Sequence, residues 1–304
     1  MSYNVRVLKD SITHNEVRLT TLEVTLPRII LAEFNTHRVF SRNSASSRAI
    51  PVEKMLKRVK EDPFIPIYWG KNQKGMQADQ ELIHDGMSKK EQNQMLRKLT
   101  NTWLKARDKA VKQATDLMNL GVHKQITNRL LEPFLWHTII VTSTEWSNWD
   151  ALRMHKDAQP EIRRAAVMMH DARKVSTPKL LNDNEWHLPL VPELEEDQID
   201  NINWDFWKKV SSGRCARVSH LTHDGRRDLQ ADVDLASHLQ ASGHMSPFEH
   251  VARPMKSSEA SYNESISNSF CGNFRGWVQY RKELPFENDY QAIQNSIEEI
   301  ELNS

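Results

Sequence analysis

The residues best able to do chemistry crowd into Asn35–Lys54, NTHRVFSRNSASSRAIPVEK. Arg38, Arg42 and Arg48 carry charges that no physiological pH removes, and Ser41, Ser44, Ser46 and Ser47 add neutral hydroxyl donors. Donors at this density suit a phosphate or a pyrophosphate. A solvated polar loop following a strand would have the same composition.

Two further stretches hold chemically useful residues at short spacing. HMSPFEH sets His244, Glu249 and His250 around a proline turn. Its spacing is not the helical HExxH of a zinc site, so no metal is expected. Ser246 as N-cap, with Pro247 at the first helical position and Glu249 at the third, accounts for it structurally. WSNWDALRMHKDAQPEIRRAA places Trp146 and Trp149 three apart, a spacing expected of core aromatics. Arg153 and Gln159 in the same stretch face a ligand or pair at the surface. The chain has no nucleophile elbow, Walker loop or GxGxxG, and neither Cys215 nor Cys271 sits in a nucleophile signature.

The elements that must position these residues follow from pattern. Apolar and polar residues alternate in YNVRVL and RLTTLEVTL, which predicts antiparallel strands within residues 3–34. A helix followed by a loop is expected from Pro51 to about Pro66, then an irregular excursion carrying Gly70 and Gly75. Apolar residues recur every three to four positions from Ser88 to about Leu120, predicting a helix that ends on Gly121. Further helical segments are expected near 123–141, 160–174 and ADVDLASHLQASG. The polar stretch STPKLLNDNEWHLPLVPELEEDQIDN reads as a surface linker, and the tail NSIEEIELNS as frayed.

Composition narrows the classes. With 304 residues and 38% hydrophobic content the chain can bury a sizeable core. Lys and Arg number 41 against 40 Asp and Glu, so no global basic field exists to bind nucleic acid. Two cysteines without a CxxC pair imply neither a disulfide framework nor a cysteine zinc site, but reduced thiols. The N-terminus lacks a secretory pattern, and no apolar run approaches the roughly 20 residues of a membrane span, so a cytoplasmic protein with no membrane partner is expected.

Taken together, THRVFSRNSASSR, the pair CARVSHLTH and ASGHMSPFEH, and SNWDALRMHKDAQPEI resemble three signature segments of the flavin-dependent thymidylate synthases. In that family the ARVS and SPFEH segments precede the arginine-histidine strand. Here they follow it, so the chain resembles a circularly permuted, divergent member. The resemblance implies an α+β fold, an antiparallel sheet with packed helices. It implies one catalytic domain over 1–304 with surface excursions near 66–87 and 175–210, assembled as a homotetramer.

The implied activity is FAD-dependent one-carbon transfer from methylenetetrahydrofolate to C5 of a pyrimidine deoxynucleotide, deoxyuridylate to thymidylate, with electrons from NADPH. Matched positions place His37, Arg38, Ser44, Asn148, His244 and Ser246 at the FAD. They place Glu33, Ser46, Ser47, Arg48, Arg129 and Arg153 at the nucleotide, with Arg48 toward the phosphate. Arg153 against the pyrimidine and His37 carry the catalytic expectation. Departures accompany the match: Thr36 replaces an Arg, Ser44 a Glu and Glu33 a Gln, while Thr142 and Thr144 stand at an Asn-x-Arg flavin contact. The same scaffold could hydroxymethylate deoxyuridylate or deoxycytidylate, or persist as an inactive nucleotide-binding relative.

Overall fold

The computed structural model describes residues 2–78, 80–191, 203–218, 228–260, 269–285 and 287–302. A five-stranded sheet forms its centre. It contains β1 (Asn4–Ile12), β2 (Arg18–Pro27), β3 (Ser41–Ser44), β4 (Trp136–Ser143) and β5 (Lys179–Leu180), in the order β3-β4-β2-β1-β5. The first four pair antiparallel, as expected, whereas the two-residue β5 runs parallel to β1. The helices between them are α1 (Leu31–Phe34), α2 (Val52–Glu61), α3 (Lys89–Asn119), α4 (Lys124–Thr127), α5 (Ser147–Arg153) and α6 (Pro160–Val175).

Alternation in β2 explains the layering. Leu22, Val24 and Leu26 point to one face and pack with Ile162, Ala165, Ala166 and Met169 of α6, together with Phe34 and Trp149. Leu19 points to the other face and meets Trp277 and Ala252. A second core joins α2, α3 and the 3-10 segment Asn128–Phe134. The helix α3 starts at a Ser88/Glu91 capping box and closes at Gly121, whose φ of +80° suits the left-handed C-terminal position.

Beyond β5 the chain forms α7 (Trp204–Ala216), α8 (Leu229–Ala241), a 3-10 turn Ser246–Glu249, β6 (Ala252–Pro254), α9 (Ser257–Ala260), β7 (Trp277–Gln279), α10 (Tyr280–Glu283) and α11 (Tyr290–Leu302). Here β6 and β7 make a two-stranded antiparallel sheet.

Four expectations are corrected. The stretch 123–141 is not one helix: Pro133 interrupts it, and the β-branched WHTIIVTS forms β4 in the sheet's interior. The stretch after Ser176 is not all surface, because Trp186, His187, Leu188 and Val191 are buried; residues 192–202 lie outside the described residues. Ser246 does not cap a helix, since Met245 holds that position and makes no side-chain capping bond. The tail forms α11 rather than fraying from Asn295. No helix among the described residues is long and apolar enough to cross a membrane.

Candidate functional site

The segment 31–48 carries most of the expected residues, and the fold bends it around the edge of β4. Its short helix α1 is anchored by buried Leu31 and Phe34; Asn35, Thr36 and His37 turn the chain, and β3 then pairs with β4. Phe40 locks this turn into an aromatic cluster, 4.9 Å from Trp146 and 5.5 Å from Trp149 between ring centroids. The two tryptophans are core residues, as their spacing predicts.

His37 lies against that cluster, edge-on to Trp149 at 4.8 Å. Burial, then the charges of Arg153 and Arg42, push its imidazole down to about 4. Neutral His37 accepts at Nε2 from Arg153 Nε–H at 2.9 Å, and Arg153 Nη2 donates to Thr36 Oγ1 at 3.2 Å. Thr36 in turn donates to the Glu33 carbonyl at 2.7 Å. Thus the neighbours Thr36 and His37 form one unit with Arg153, more than a hundred residues away in sequence. The Glu33 Oε2 atom is buried and has no hydrogen-bond partner.

Past β3 the chain meets a second group. Ser47 Oγ donates to Glu132 Oε1 at 2.9 Å, Arg129 Nη1 approaches the same oxygen at 2.8 Å, and Arg28 Nη2 lies 3.3 Å from it. Buried Asn128 donates to the carbonyls of Ser47 and Ile50, fixing the loop. The expected residues Ser47 and Arg129 therefore converge, through a carboxylate that sequence reasoning did not single out. Arg48 is exposed and lies outside this cluster.

On the other side of β3 packs the 3-10 turn Ser246–Glu249. Ser246 of this turn and His244 just before it are exposed, as are Arg38, Ser44 and Asn148. Arg42 is half-buried, lowered chiefly by burial while Glu249 opposes that shift, and Glu249 also pairs with Arg281. Thr142, a suspected replacement for a flavin contact, is fully buried between Thr21 and His250 and faces no ligand surface. Thr144 instead accepts from the backbone of Arg275. Of the ARVS segment, Ser219 and the residues to 227 lie outside the described residues.

An antiparallel sheet whose edge gathers arginines, hydroxyls and a neutral histidine, with helices packed against it, defines an α+β protein. The chain belongs to the thymidylate synthase complementing protein family, whose model matches residues 13–179, more than half of its length. That span contains Glu33 to Arg153 but not His244 or Ser246. No curated protein matches the sequence. Among solved structures, the UMP/dUMP methylase PolB from Streptomyces cacaoi bound with 5-Br dUMP is similar at 16% identity and TM-score 0.44, over 57% of this chain and 90% of that one. The same protein bound with 5-Br UMP matches at 18% identity and TM-score 0.43, over 57% and 89%.

Proposed function

We propose that the chain catalyses flavin-dependent one-carbon transfer from methylenetetrahydrofolate to C5 of a pyrimidine deoxynucleotide, deoxyuridylate to thymidylate, as one catalytic unit in a homotetramer. Family membership supports the reaction class, and the observation that carries it is the Arg153–His37–Thr36 unit. With Nε and Nη2 held, the guanidinium keeps Nη1 for an anionic ring oxygen. Stabilising charge that develops on the pyrimidine is the contribution a fixed donor makes to such a reaction.

The residues present fit a flavin dinucleotide. Arg38, His244, Ser246, Ser44 and Asn148 all present exposed polar groups, Ser44 on β3, Asn148 on α5 and Ser246 on the turn packed against β3, and Arg38 makes no ion pair among the described residues. FAD held there would supply the redox step, with NADPH as the source of electrons. On the nucleotide side, Ser46, Ser47, Arg48 and Arg129 would hold the phosphate, and Glu33 and Arg153 the base. The Glu33 oxygen favours one second reading, deoxycytidylate: a bare buried carboxylate oxygen lacks an N–H donor, and the cytosine amino group is one.

The test is incubation with FAD, NADPH, methylenetetrahydrofolate and either deoxyuridylate or deoxycytidylate, followed by product mass. A 14-dalton gain on deoxyuridylate is about what a methyl adds and is the expected result. A hydroxymethyl mass, or reaction of deoxycytidylate alone, selects the alternatives. A protein that binds nucleotide but yields no product in any combination overturns the catalytic reading.

A further inference from the structure

The C-terminal turn Cys271–Gly276, which no matched segment covers, is stitched into the site at three places. Asn273 Nδ2 donates to the carbonyl of Val39, the neighbour of Arg38, at 3.1 Å, and Asn273 Oδ1 accepts from Ser41 Oγ at 3.0 Å. Gln279, buried to 1% exposure, has its Nε2 within 3.1 Å of Ser41 Oγ, 3.1 Å of the Glu249 carbonyl and 2.9 Å of Asn273 Oδ1. One amide therefore joins β3, which carries Arg42 and follows the loop of Arg38, the 246–249 turn, which carries Ser246, and the C-terminal turn.

The third attachment fixes Arg275. Its backbone N–H donates to Thr144 Oγ1 at 3.1 Å, at the end of β4 and just before α5. On either side Phe274 and Trp277 are buried, so the turn cannot roll away. The Arg275 side chain, by contrast, is 76% exposed and among the described residues pairs with Glu145 Oε1, at 3.2 Å with that carboxylate 39% exposed. Exposed pairs of this kind contribute little, so this guanidinium can leave Glu145 for a stronger anion. A rigid turn that holds the carbonyl of Val39, next in sequence to exposed Arg38, while presenting one loosely held arginine two residues on, offers two guanidinium groups to adjacent negative groups.

We propose that the turn is a wall of the cofactor site: Arg275 is a second guanidinium, with Arg38, for the diphosphate of a bound dinucleotide, and Asn273 and Gln279 are positioning residues that hold Arg38's loop against it. The assignment rests on the flavin reading above for the identity of the ligand. Bidentate guanidinium contacts to phosphate are selective for a ligand that has the phosphate, which makes the idea separable from general loosening of the protein.

The experiment measures dissociation constants of FAD, FMN and riboflavin by flavin fluorescence, for the full chain and for Arg275→Ala, Arg275→Lys and Gln279→Leu. Arg275→Ala is expected to weaken FAD roughly tenfold or more, as loss of a charged hydrogen bond does, and to leave riboflavin within about twofold. Arg275→Lys should recover part of the FAD loss, and Gln279→Leu should lower FAD affinity with an unchanged circular dichroism spectrum. Equal FAD affinity in Arg275→Ala and wild type overturns the proposal while leaving the flavin reading intact. A uniform loss across all three flavins overturns it too, since that marks the turn as only structural. Wild-type protein that binds none of the three overturns the flavin reading itself, and the proposal with it.

Discussion

Arg153 donates Nε–H to Nε2 of His37 across 2.9 Å, which makes the imidazole an acceptor and the guanidinium a fixed object. Because burial and two neighbouring arginines push His37 down to about 4, it stays neutral and keeps accepting throughout the physiological range. The rate profile of the wild type should therefore show no limb from His37 above about pH 5, a unit above that value.

The same geometry predicts different kinetic signatures for two arginines. Arg153→Ala should chiefly lower kcat, and His37→Ala should do so less, because Thr36 still holds Nη2. Exposed Arg48 is assigned to the phosphate, a contact made equally before and during reaction, so Arg48→Ala should chiefly raise KM for the nucleotide. Steady-state kinetics separate these outcomes. Near-wild-type constants in both arginine variants would remove both from the site.

Neither thiol is placed to act as a nucleophile. Burial pushes both Cys215 and Cys271 up, and Cys215 lies in an apolar cluster with Ile140 and Val218. The double change Cys215→Ala, Cys271→Ala should retain substantial turnover, and the folded protein should resist iodoacetamide. Inactivation of a folded, flavin-loaded double variant would point to a covalent route through cysteine.

The parts of this structure that alternation can encode were legible in the sequence. In β1 the ends of the strand differ in exposure, and in β2, buried on both faces, apolar Leu22, Val24 and Leu26 still alternate with Thr21, Glu23 and Thr25, which the pattern in YNVRVL and RLTTLEVTL shows. Strand β4 is buried along nearly its whole length, so it carries no alternation and its apolar run is indistinguishable from a buried helix. The site divides in the same way. Arg38, Arg153 and Ser47 sit in motifs that stand out by composition or resemblance. Asn273, Arg275 and Gln279 each reach a partner 131 to 238 residues away, and no local pattern marks such a contact. Glu132 was equally silent, being one carboxylate in NRLLEPF until the fold brings Ser47, Arg129 and Arg28 to it.

A buried polar chain crosses the same core. Ser11 meets His187, His187 meets Thr21, Thr21 meets Thr142 and Thr142 meets His250, each at 2.7 to 2.9 Å. His187, Thr21 and Thr142 each bond on both sides through groups that can reverse roles, so the two imidazole tautomers are linked through the hydroxyls, while His250 Nε2 ends the chain without a partner. Burial pushes His250 down to about 3, and His137 likewise to about 3. Unfolding restores their ordinary value of 6.5, so between those limits the unfolded chain binds protons that the folded chain refuses. Stability should thus be full above about pH 6.5 and fall toward pH 3, by about 1.4 kcal/mol per pH unit for each such histidine. Urea titrations across this window should show it, and His137→Gln should flatten the slope by about one proton. An unchanged slope would mean that His137 does not resist protonation in the folded state.

Gly272 lets the backbone pass beneath the Gln279 amide. Its φ is +60°, and a Cβ built there would lie 2.2 Å from Gln279 Oε1, closer than any real contact. Gly272→Ala therefore adds two costs: left-handed strain of about 1 to 2 kcal/mol, and displacement of the amide that joins Ser41, Asn273 and Glu249. Gly121 separates them, because its φ is +80° but nothing lies within 4 Å of its Cβ position. Gly121→Ala should lose only the strain and keep its flavin affinity. Gly272→Ala should be less stable than Gly121→Ala in urea and should also bind FAD more weakly, since the amide it displaces holds the loop that carries Arg38. Equal stability and equal flavin affinity in the two variants would show that the junction around Gln279 supports neither the fold nor the site.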